Sequence, residues 1–258
     1  MGTKRLFLAV ACLLLLSGRA VAGWYHVENF TGTLGPYPIH LSLQFYASFG
    51  DGTDVEGSYF YDNKLIPIAL YGTHRKDHLA LCEISDPKSF HRIIIVGTTT
   101  PADAKGCTFA LDVHDADVTG TWSSAGNSYP VALKRVATLD NTGDDGKIEG
   151  RVDIPFWAQT ARHVFIGTYV KSDTQVCLAF VTVFDKKSKR PVQKLMFDEK
   201  DCTAGLLMTP IYLNLGEPFG NGSNGIEIDF DDGRMGHSEI YIFDAKKNGY
   251  VPAKGRRG

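Results

Sequence analysis

The feature that most constrains this chain is a strand-like alternation of apolar and polar residues, interrupted by turn residues at intervals of about 8–12 positions. Between residues 39 and 45, Ile, Leu, Leu and Phe alternate with His, Ser and Gln. Successive side chains of a strand point to opposite faces, so the two sets lie on different sides of a sheet. Beyond the N-terminus, helical periodicity is almost absent. The pattern predicts an all-β protein.

The first half of the chain predicts a closed barrel. Its strands are joined by short connections rich in Gly, Pro, Asp and Asn, which are typical turn residues. Such a series favours an up-and-down, lipocalin- or avidin-like meander, because closure removes exposed sheet edges. Gly57, Gly72 and Gly120 lie inside these strands, where glycine is typical of a sharp bend or a close backbone approach. The predicted strands cover residues 26–33, 37–47, 53–62, 65–73, 77–84, 90–97, 107–113, 116–123 and 129–136.

A polar, turn-rich segment near the middle of the chain indicates a domain boundary. We expect a small β-barrel domain at 23–139, a linker at 140–147 and a second antiparallel β-domain at 148–258. The flanking residues of the two halves do not align well, so we predict two different domains, with a duplication as the alternative. Strands of the second domain are predicted at 148–154, 163–170, 174–184, 191–197, 204–214, 225–231 and 239–243.

Residues 1–22 have the features of a cleavable signal peptide. Lys4 and Arg5 precede an apolar run from Leu6 to Leu16, and Ala20-Val21-Ala22 offers small residues for the peptidase. The run is shorter than the roughly 20 residues that cross a bilayer, and no later segment is long and apolar enough to do so. We expect a periplasmic or secreted protein without a transmembrane segment.

The charge balance of the mature chain restricts its partners. Three of the 27 basic residues lie in the predicted signal peptide, whereas all 29 acidic residues lie beyond it, so cleavage leaves a net charge of about −5. This balance argues against nucleic acid and anionic lipid as partners. It suits a cationic protein partner.

Four cysteines remain after cleavage: Cys82, Cys107, Cys177 and Cys202. An even number in an exported chain predicts two disulfides. We favour Cys82–Cys107 and Cys177–Cys202, because each pair is 25 positions apart and lies within one predicted domain. The other two pairings remain open. A zinc site is disfavoured because the chain has no CxxC or CxxH spacing.

The first of two resemblances covers most of the predicted barrel. Six of its segments resemble a small secreted bacterial barrel domain. That domain recurs in exported proteins, some of them linked with lysozyme-inhibitor domains. The resemblance implies the barrel fold and says little about function. The segments are residues 39–43, 55–61, 68–72, 79–83, 118–122 and 130–133.

The second resemblance lies in the C-terminal half. Residues 192–195, 225–233, 240–244 and 250–251 are similar to a family of periplasmic inhibitors of lysozyme-type effectors. The family has a propeller-like β-fold and a calcium-type Asp-x-Asn-x-Asp-Gly loop. Here the loop is one residue short and has Asp where Asn is usual. The resemblance implies a non-catalytic inhibitor or immunity protein that acts on a lysozyme-like peptidoglycan hydrolase.

Two polar loops are candidates for contact with such a partner. Lysozyme inhibitors insert a loop with a Ser-Gly and Tyr signature into the enzyme cleft, and residues 124–129 approximate that signature. Residues 219–225 have a similar composition. A plain hairpin turn is the alternative interpretation of the first loop. The candidate partner-binding residues are Ser124, Asn127, Tyr129, Phe219, Asn221 and Asn224.

An acidic cluster near the C-terminus is a candidate calcium site. Asp229, Asp231, Asp232 and Glu239 could supply the hard oxygen ligands that calcium requires, although the remaining ligands are not evident. A solvated hairpin turn is the alternative. The acidic residues at 140–145 are interpreted as linker. His74 and His78 are interpreted as exposed turn residues rather than metal ligands.

No sequence motif supports catalysis. The chain has no GxSxG elbow, no HExxH and no phosphate-binding loop. A pair of carboxylates for glycoside hydrolysis would have no characteristic spacing. We therefore expect a binding protein rather than an enzyme. The alternative function is an exported glycan- or small-ligand-binding module of the cell envelope, in which Trp24, Trp122 and Trp157 would stack on sugar; core packing is the competing interpretation of these tryptophans.

Overall fold

The computed structural model describes residues 25–49, 53–100, 103, 106–140, 146–171, 176–197, 210–217, 224–231 and 236–253. The predicted signal peptide and Trp24 lie outside these ranges. Antiparallel strands dominate the described residues, which form one nine-stranded sheet and two four-stranded sheets. The predicted all-β class, a barrel followed by further antiparallel sheets, is confirmed.

The first eight strands form a closed up-and-down barrel. Each strand pairs with the next, and β1 also pairs with β8 through residues 26–34 and 131–140. The predicted meander is therefore confirmed. Its strands are β1 (Tyr25–Leu34), β2 (Tyr37–Phe49), β3 (Thr53–Tyr61), β4 (Ile68–Arg75), β5 (His78–Glu83), β6 (Cys107–His114), β7 (Asp117–Ser124) and β8 (Asn127–Asp140).

The alternation read from the sequence places apolar side chains inside the barrel. Ile39, Leu41 and Leu43 of β2 are at most 2 % exposed and belong to one buried cluster. Glycine is required where strands meet closely. A Cβ atom on Gly72 would lie 2.0 Å from the carbonyl oxygen of Ala80 on β5, closer than any real side chain approaches. The close approach predicted for the strand glycines is thus observed.

A second β-region, strands β10–β17, follows the barrel. It consists of two four-stranded antiparallel meanders that share one hydrophobic cluster. Gln193 links them, because its side chain donates to the Tyr250 carbonyl (2.8 Å) and accepts from the Tyr250 amide (2.7 Å), as a paired strand would. The strands are β10 (Val152–Gln159), β11 (His163–Lys171), β12 (Val176–Asp185), β13 (Pro191–Met196), β14 (Leu215–Gly216), β15 (Gly225–Asp231), β16 (Gly236–Asp244) and β17 (Gly249–Pro252).

The ends of the predicted linker, 140–147, belong to paired strands. Asp140 ends β8 and Lys147 begins β9 (Lys147–Glu149), which pairs with residues 138–140 of β8 and extends the barrel sheet. The hydrophobic cluster of the second β-region also includes Val27, Tyr71 and Leu139 from the barrel. The two regions therefore share a continuous core.

The polar face of β2 is buried beneath the second β-region. Ser42 and Gln44 are each 2 % exposed. Ser42 Oγ lies 3.0 Å from the Tyr212 hydroxyl, and Gln44 Oε1 accepts from the Ile211 amide at 2.7 Å. Trp157 Nε1 donates to the barrel backbone at 2.9 Å. These bonds satisfy polar groups that burial would otherwise leave unpaired.

The strand predicted at 90–97 is wrong. The chain forms helix α1 (Pro87–Phe90) and continues as a π-helical turn (His91–Ile95). Asp86 caps this helix by accepting from the amides of Lys88 and Ser89, and Pro87 occupies the first turn, where its missing amide costs nothing. The β-branched Ile93-Ile94-Ile95 run favours a strand, but Ile93 and Ile94 are instead buried in the hydrophobic cluster that the barrel shares with the second β-region.

Three other segments differ from the predicted strands of the second domain. The strand predicted at 148–154 is divided between β9 and β10, which belong to different sheets. In 204–214, the described end contains a 3-10 turn (Ile211–Leu213), while 204–209 lie outside the described residues. Strand β17 had no predicted counterpart. Its four residues contain a proline and give too short an alternation to be recognised.

The Cys82–Cys107 disulfide joins neighbouring positions of β5 and β6, so this predicted pairing is confirmed. Cys177 is also disulfide-bonded, and its predicted partner Cys202 lies outside the described residues. A disulfide is compatible with an exported protein. Of the helices in the described ranges, none has the length and apolar character needed to cross a bilayer.

Candidate functional site

One end of the barrel carries a cluster of aromatic residues around a carboxylate. β2 and β8 begin at this end, and β3, β5 and β7 finish there, because neighbouring strands are antiparallel. Inward-facing positions near these strand ends bring the side chains together across the opening. We call this cluster the aromatic mouth; it consists of Tyr37, Tyr61, Glu83, Trp122 and Tyr129.

The rings of the aromatic mouth touch one another. The ring centroid of Tyr37 lies 5.9 Å from that of Tyr61 and 6.4 Å from that of Tyr129, both in edge-on geometry. Trp122 and Tyr129 are 5.9 Å apart. Tyr37 is 44 % exposed, whereas the other rings are half-buried. The mouth is therefore a solvent-facing aromatic surface rather than an open channel.

Glu83 is held at the centre of this surface by two neutral donors. The Tyr59 hydroxyl donates to Glu83 Oε1 at 2.5 Å, and Trp122 Nε1 donates to the same oxygen at 2.7 Å. Oε2 accepts no hydrogen bond from the described residues and is not buried. Burial, together with the neighbouring carboxylate, raises the pKa of Tyr59, so its hydroxyl remains a donor at physiological pH.

A tight hairpin projects beside the aromatic mouth. Ser124 and Asn127 are register partners, and the two residues between them, Ala125 (φ 49°) and Gly126 (φ 82°), both adopt the left-handed conformation. This is the conformation expected of a two-residue type I′ hairpin loop. A Cβ atom on Gly126 would meet no atom within 4 Å, so the tip extends into solvent.

The predicted residues of this loop have two different roles. Asn127 is exposed on the hairpin, whereas Ser124 is half-buried. Tyr129 lies below the tip and packs against Gly35, where a Cβ atom would come within 2.8 Å of its ring. Tyr129 therefore supports the aromatic mouth, and the tip itself is formed by smaller residues.

The second predicted loop is described only at its end. Phe219 and Asn221 lie outside the described residues. Asn224 is exposed, and its carbonyl accepts from the amide of Phe243 at 3.0 Å. Whether this loop contacts a partner stays a prediction.

The candidate calcium ligands lie on the β15–β16 hairpin. Asp229 accepts from the Ser238 hydroxyl at 2.5 Å, and Glu239 accepts from the Tyr241 hydroxyl at 2.6 Å. Because Asp229 pairs with Ser238 and not with Glu239, the two carboxylates are on opposite faces of the hairpin. Asp232 and the side chain of Asp231 are outside the described part. Within that part, no three His, Cys, Asp or Glu side chains are grouped to hold a metal; calcium binding stays a prediction.

A cleft of about 400 Å³ is lined by residues of both the barrel and the second β-region. On the barrel side, His40 Nδ1 lies 2.6 Å from Asp62 Oδ1 and the His40 ring stacks on Phe60. On the other side, Arg151 Nε donates to Asp153 at 3.0 Å. The lining of the cleft combines aromatic rings with the Arg151–Asp153 ion pair. The volume of the cleft is within the range of small-ligand sites.

The described tryptophans do not form one sugar-stacking face. Trp122 belongs to the aromatic mouth. Trp157 is 7 % exposed, with its ring stacked 5.0 Å from Tyr212 in the core of the second β-region. Trp24 lies outside the described residues.

Sequence reasoning missed Glu83, Tyr37 and Tyr61 as site residues. The available signal was their position at the ends of strands that alternate inward, which becomes informative only once the barrel closure is known. No family model matches this chain, and no curated protein or solved structure is significantly similar to it.

Proposed function

We propose that this chain is an exported, non-catalytic binding protein that inhibits, or gives immunity to, a lysozyme-like peptidoglycan hydrolase. The aromatic mouth and the β7–β8 hairpin form the contact surface. The observation that carries the proposal is the tight two-residue tip at residues 125–126, which projects beside a solvent-facing aromatic surface. The resemblance of the C-terminal half to periplasmic lysozyme inhibitors supports the same partner class.

The chemistry of the tip suits a hydrolase cleft. Lysozyme-like enzymes hold two acidic groups across a sugar-binding cleft. A tip of Ser124, Ala125, Gly126 and Asn127 is small, uncharged and hydrogen-bonding, so it can approach carboxylates without repulsion. The neighbouring aromatic side chains supply the rigid anchors that are typical of interface hot spots. The acidic net charge favours association with a cationic enzyme, more strongly at low salt.

A pair of matched variants tests this surface. Asn127→Trp adds a bulky ring to the exposed hairpin, whereas His114→Trp places the same residue on the exposed β6–β7 turn at the opposite end of the barrel. We expect Asn127→Trp to weaken inhibition of a lysozyme-class hydrolase at least about tenfold, because the enlarged tip no longer fits the cleft, and His114→Trp to leave it unchanged. Inhibition is measured as the slowed clearing of a cell-wall suspension. Equal inhibition by both variants and the wild type would exclude the hairpin as the contact.

A glycan- or small-ligand-binding function is the second candidate, and the cleft between the barrel and the second β-region favours it. Phe184 and the Arg151–Asp153 pair line that cleft. Calorimetric titration with muropeptides tests it. Binding that is lost in Arg151→Ala but kept in the exposed-surface variant Arg190→Ala would support this function; binding to neither variant nor wild type would exclude muropeptides as the ligand.

A further inference from the structure

We infer that the aromatic mouth is an acceptor for a basic side chain, an arginine or lysine of the protein partner, and that Glu83 is its counter-ion. This inference rests on the proposed function for the nature of the partner. It adds the chemistry by which the mouth recognises that partner.

Glu83 differs from three other shielded carboxylates, Glu28, Asp54 and Asp103, each of which is paired with an arginine. Glu28 is paired with Arg135 at 2.8 Å, Asp103 with Arg92 at 2.6 Å, and Asp54 with Arg75. Among the described residues, no lysine or arginine lies within ion-pair distance of Glu83. Its hydrogen bonds come from two neutral donors, so its negative charge is oriented without being neutralised.

The orientation of Glu83 leaves one oxygen available. Tyr59 and Trp122 both donate to Oε1, which fixes the carboxylate between β3 and β7. Glu83 is half-buried, and its Oε2 atom accepts no hydrogen bond from the described part of the chain and is not among the fully buried unpaired atoms of that part. An incoming ammonium or guanidinium group can therefore donate to Oε2 without displacing an internal bond. A carboxylate that is already oriented loses little conformational freedom on binding.

The surrounding rings favour a cation over a neutral polar group. A positive charge within about 6 Å of an aromatic face is attracted by the ring quadrupole, and the attraction increases as water is excluded. Trp122, whose indole donates to the carboxylate, supplies half-buried ring surface beside it. Tyr37 adds exposed ring surface that contacts Tyr61 and Tyr129. A sugar would also stack on these rings, but it would gain little from the formal charge of Glu83. A requirement for positive charge on the ligand therefore distinguishes a basic side chain from a sugar.

The first experiment uses small probes. N-acetyl-L-arginine amide and its neutral isostere N-acetyl-L-citrulline amide are titrated into the full chain while amide and indole NMR signals are followed. We expect the arginine probe to shift the Trp122 indole signal with a dissociation constant of about 1 mM, and the citrulline probe to bind at least about tenfold more weakly. Equal binding of the two probes, or no shift by either, would overturn the inference.

The second experiment removes the charge while keeping the shape. Glu83→Gln retains an acceptor for Tyr59 and Trp122, and Glu149→Gln makes the same change at an exposed position on β9. We expect Glu83→Gln to abolish the preference for arginine over citrulline and Glu149→Gln to preserve it. Tyr37→Ala, which removes the most exposed ring, should weaken the binding of the arginine probe. Near-ultraviolet circular dichroism checks that the barrel of this variant remains folded.

The two proposals fail in different ways. If the arginine probe binds through Glu83 but no lysozyme-class hydrolase is inhibited, the proposed partner class is wrong, whereas the assignment of the aromatic mouth as an acceptor for a basic side chain is kept. If a hydrolase is inhibited and the Glu83→Gln variant inhibits it as strongly as the wild type does, the inference that Glu83 accepts a basic side chain is wrong and the proposed function is kept.

Discussion

Glu56 provides the sharpest test of how the two β-regions are held together. It lies on the outer face of β3 beside Gln44, is 7 % exposed, and forms a hydrogen bond with Tyr46. Its Oε2 atom has no hydrogen-bond partner among the described residues. Burial raises the pKa of this carboxyl from 4.5 to about 7, because the charged form is poorly solvated at the interface. The perturbation is Glu56→Gln, which keeps an acceptor for Tyr46 and removes the ionisation.

The expected magnitude follows from the raised pKa. At about 1.36 kcal/mol per pH unit, the difference between 4.5 and about 7 corresponds to about 3 kcal/mol in the free energy of unfolding. The folded state favours the protonated carboxyl, so this stability is fully present below pH 4.5. It declines as the pH rises and is lost above about 7. The glutamine variant should lack this decline.

The assay is urea unfolding of wild type, Glu56→Gln and the exposed control Glu149→Gln at pH 4.5 and pH 8. Tyr46 and Tyr212, which also face Glu56, have pKa values raised by burial and remain neutral at both pH values. Other titrating groups contribute equally to all three proteins and cancel in the differences. From pH 4.5 to pH 8, we expect the free energy of unfolding of Glu56→Gln to rise by about 3 kcal/mol relative to that of the wild type. A gain below about 1 kcal/mol, or an equal gain in Glu149→Gln, would refute the reasoning.

Three further predictions concern stability and are measured by chemical unfolding at neutral pH. Gly72→Ala should destabilise the barrel by more than about 2 kcal/mol, because its Cβ atom would overlap a backbone oxygen of the next strand. Gly216→Ala, whose Cβ atom meets nothing within 4 Å, should change stability by less than about 1 kcal/mol. Trp157→Phe should cost about 2–3 kcal/mol, since it removes the bond to the Gly57 carbonyl and leaves a cavity; a change below about 0.5 kcal/mol would mean that this contact does not hold the regions together. Replacing both cysteines of Cys82–Cys107 by serine should cost about 3 kcal/mol under non-reducing conditions, and no loss would show that closing this loop does not constrain the unfolded chain.

The sequence alone determined the class of the fold and most of the barrel. Alternation is a local property, because the side chains of a strand point alternately to its two faces whatever the strand pairs with. It therefore located β1–β8 closely, with Gly72 correctly marking a close approach. The spacing of the cysteines also pointed to the Cys82–Cys107 bridge, since both ends lie in strands that a meander brings together.

The tertiary structure decided which faces are buried and which residues form a site. The polar face of β2 predicts a water-exposed surface, but Ser42 and Gln44 find partners 170 and 167 positions away, in a region that local patterning cannot connect to them. The same limit applies to the 90–97 segment, where the Asp86 cap and the burial of Ile93 and Ile94 in the cluster shared by both regions outweigh the β-propensity of three isoleucines.

The aromatic mouth depends wholly on closure of the barrel. Tyr37 and Trp122 are 85 positions apart in sequence, and each alone has the pattern of an ordinary strand residue. Both contact Tyr129, and they belong to one cluster only because β1 pairs with β8 and brings all strand ends at one side into a ring. Alternation fixes the direction of a side chain relative to its own strand, whereas the neighbours of that side chain depend on long-range pairing, and this is why the fold could be read from the sequence and the site could not.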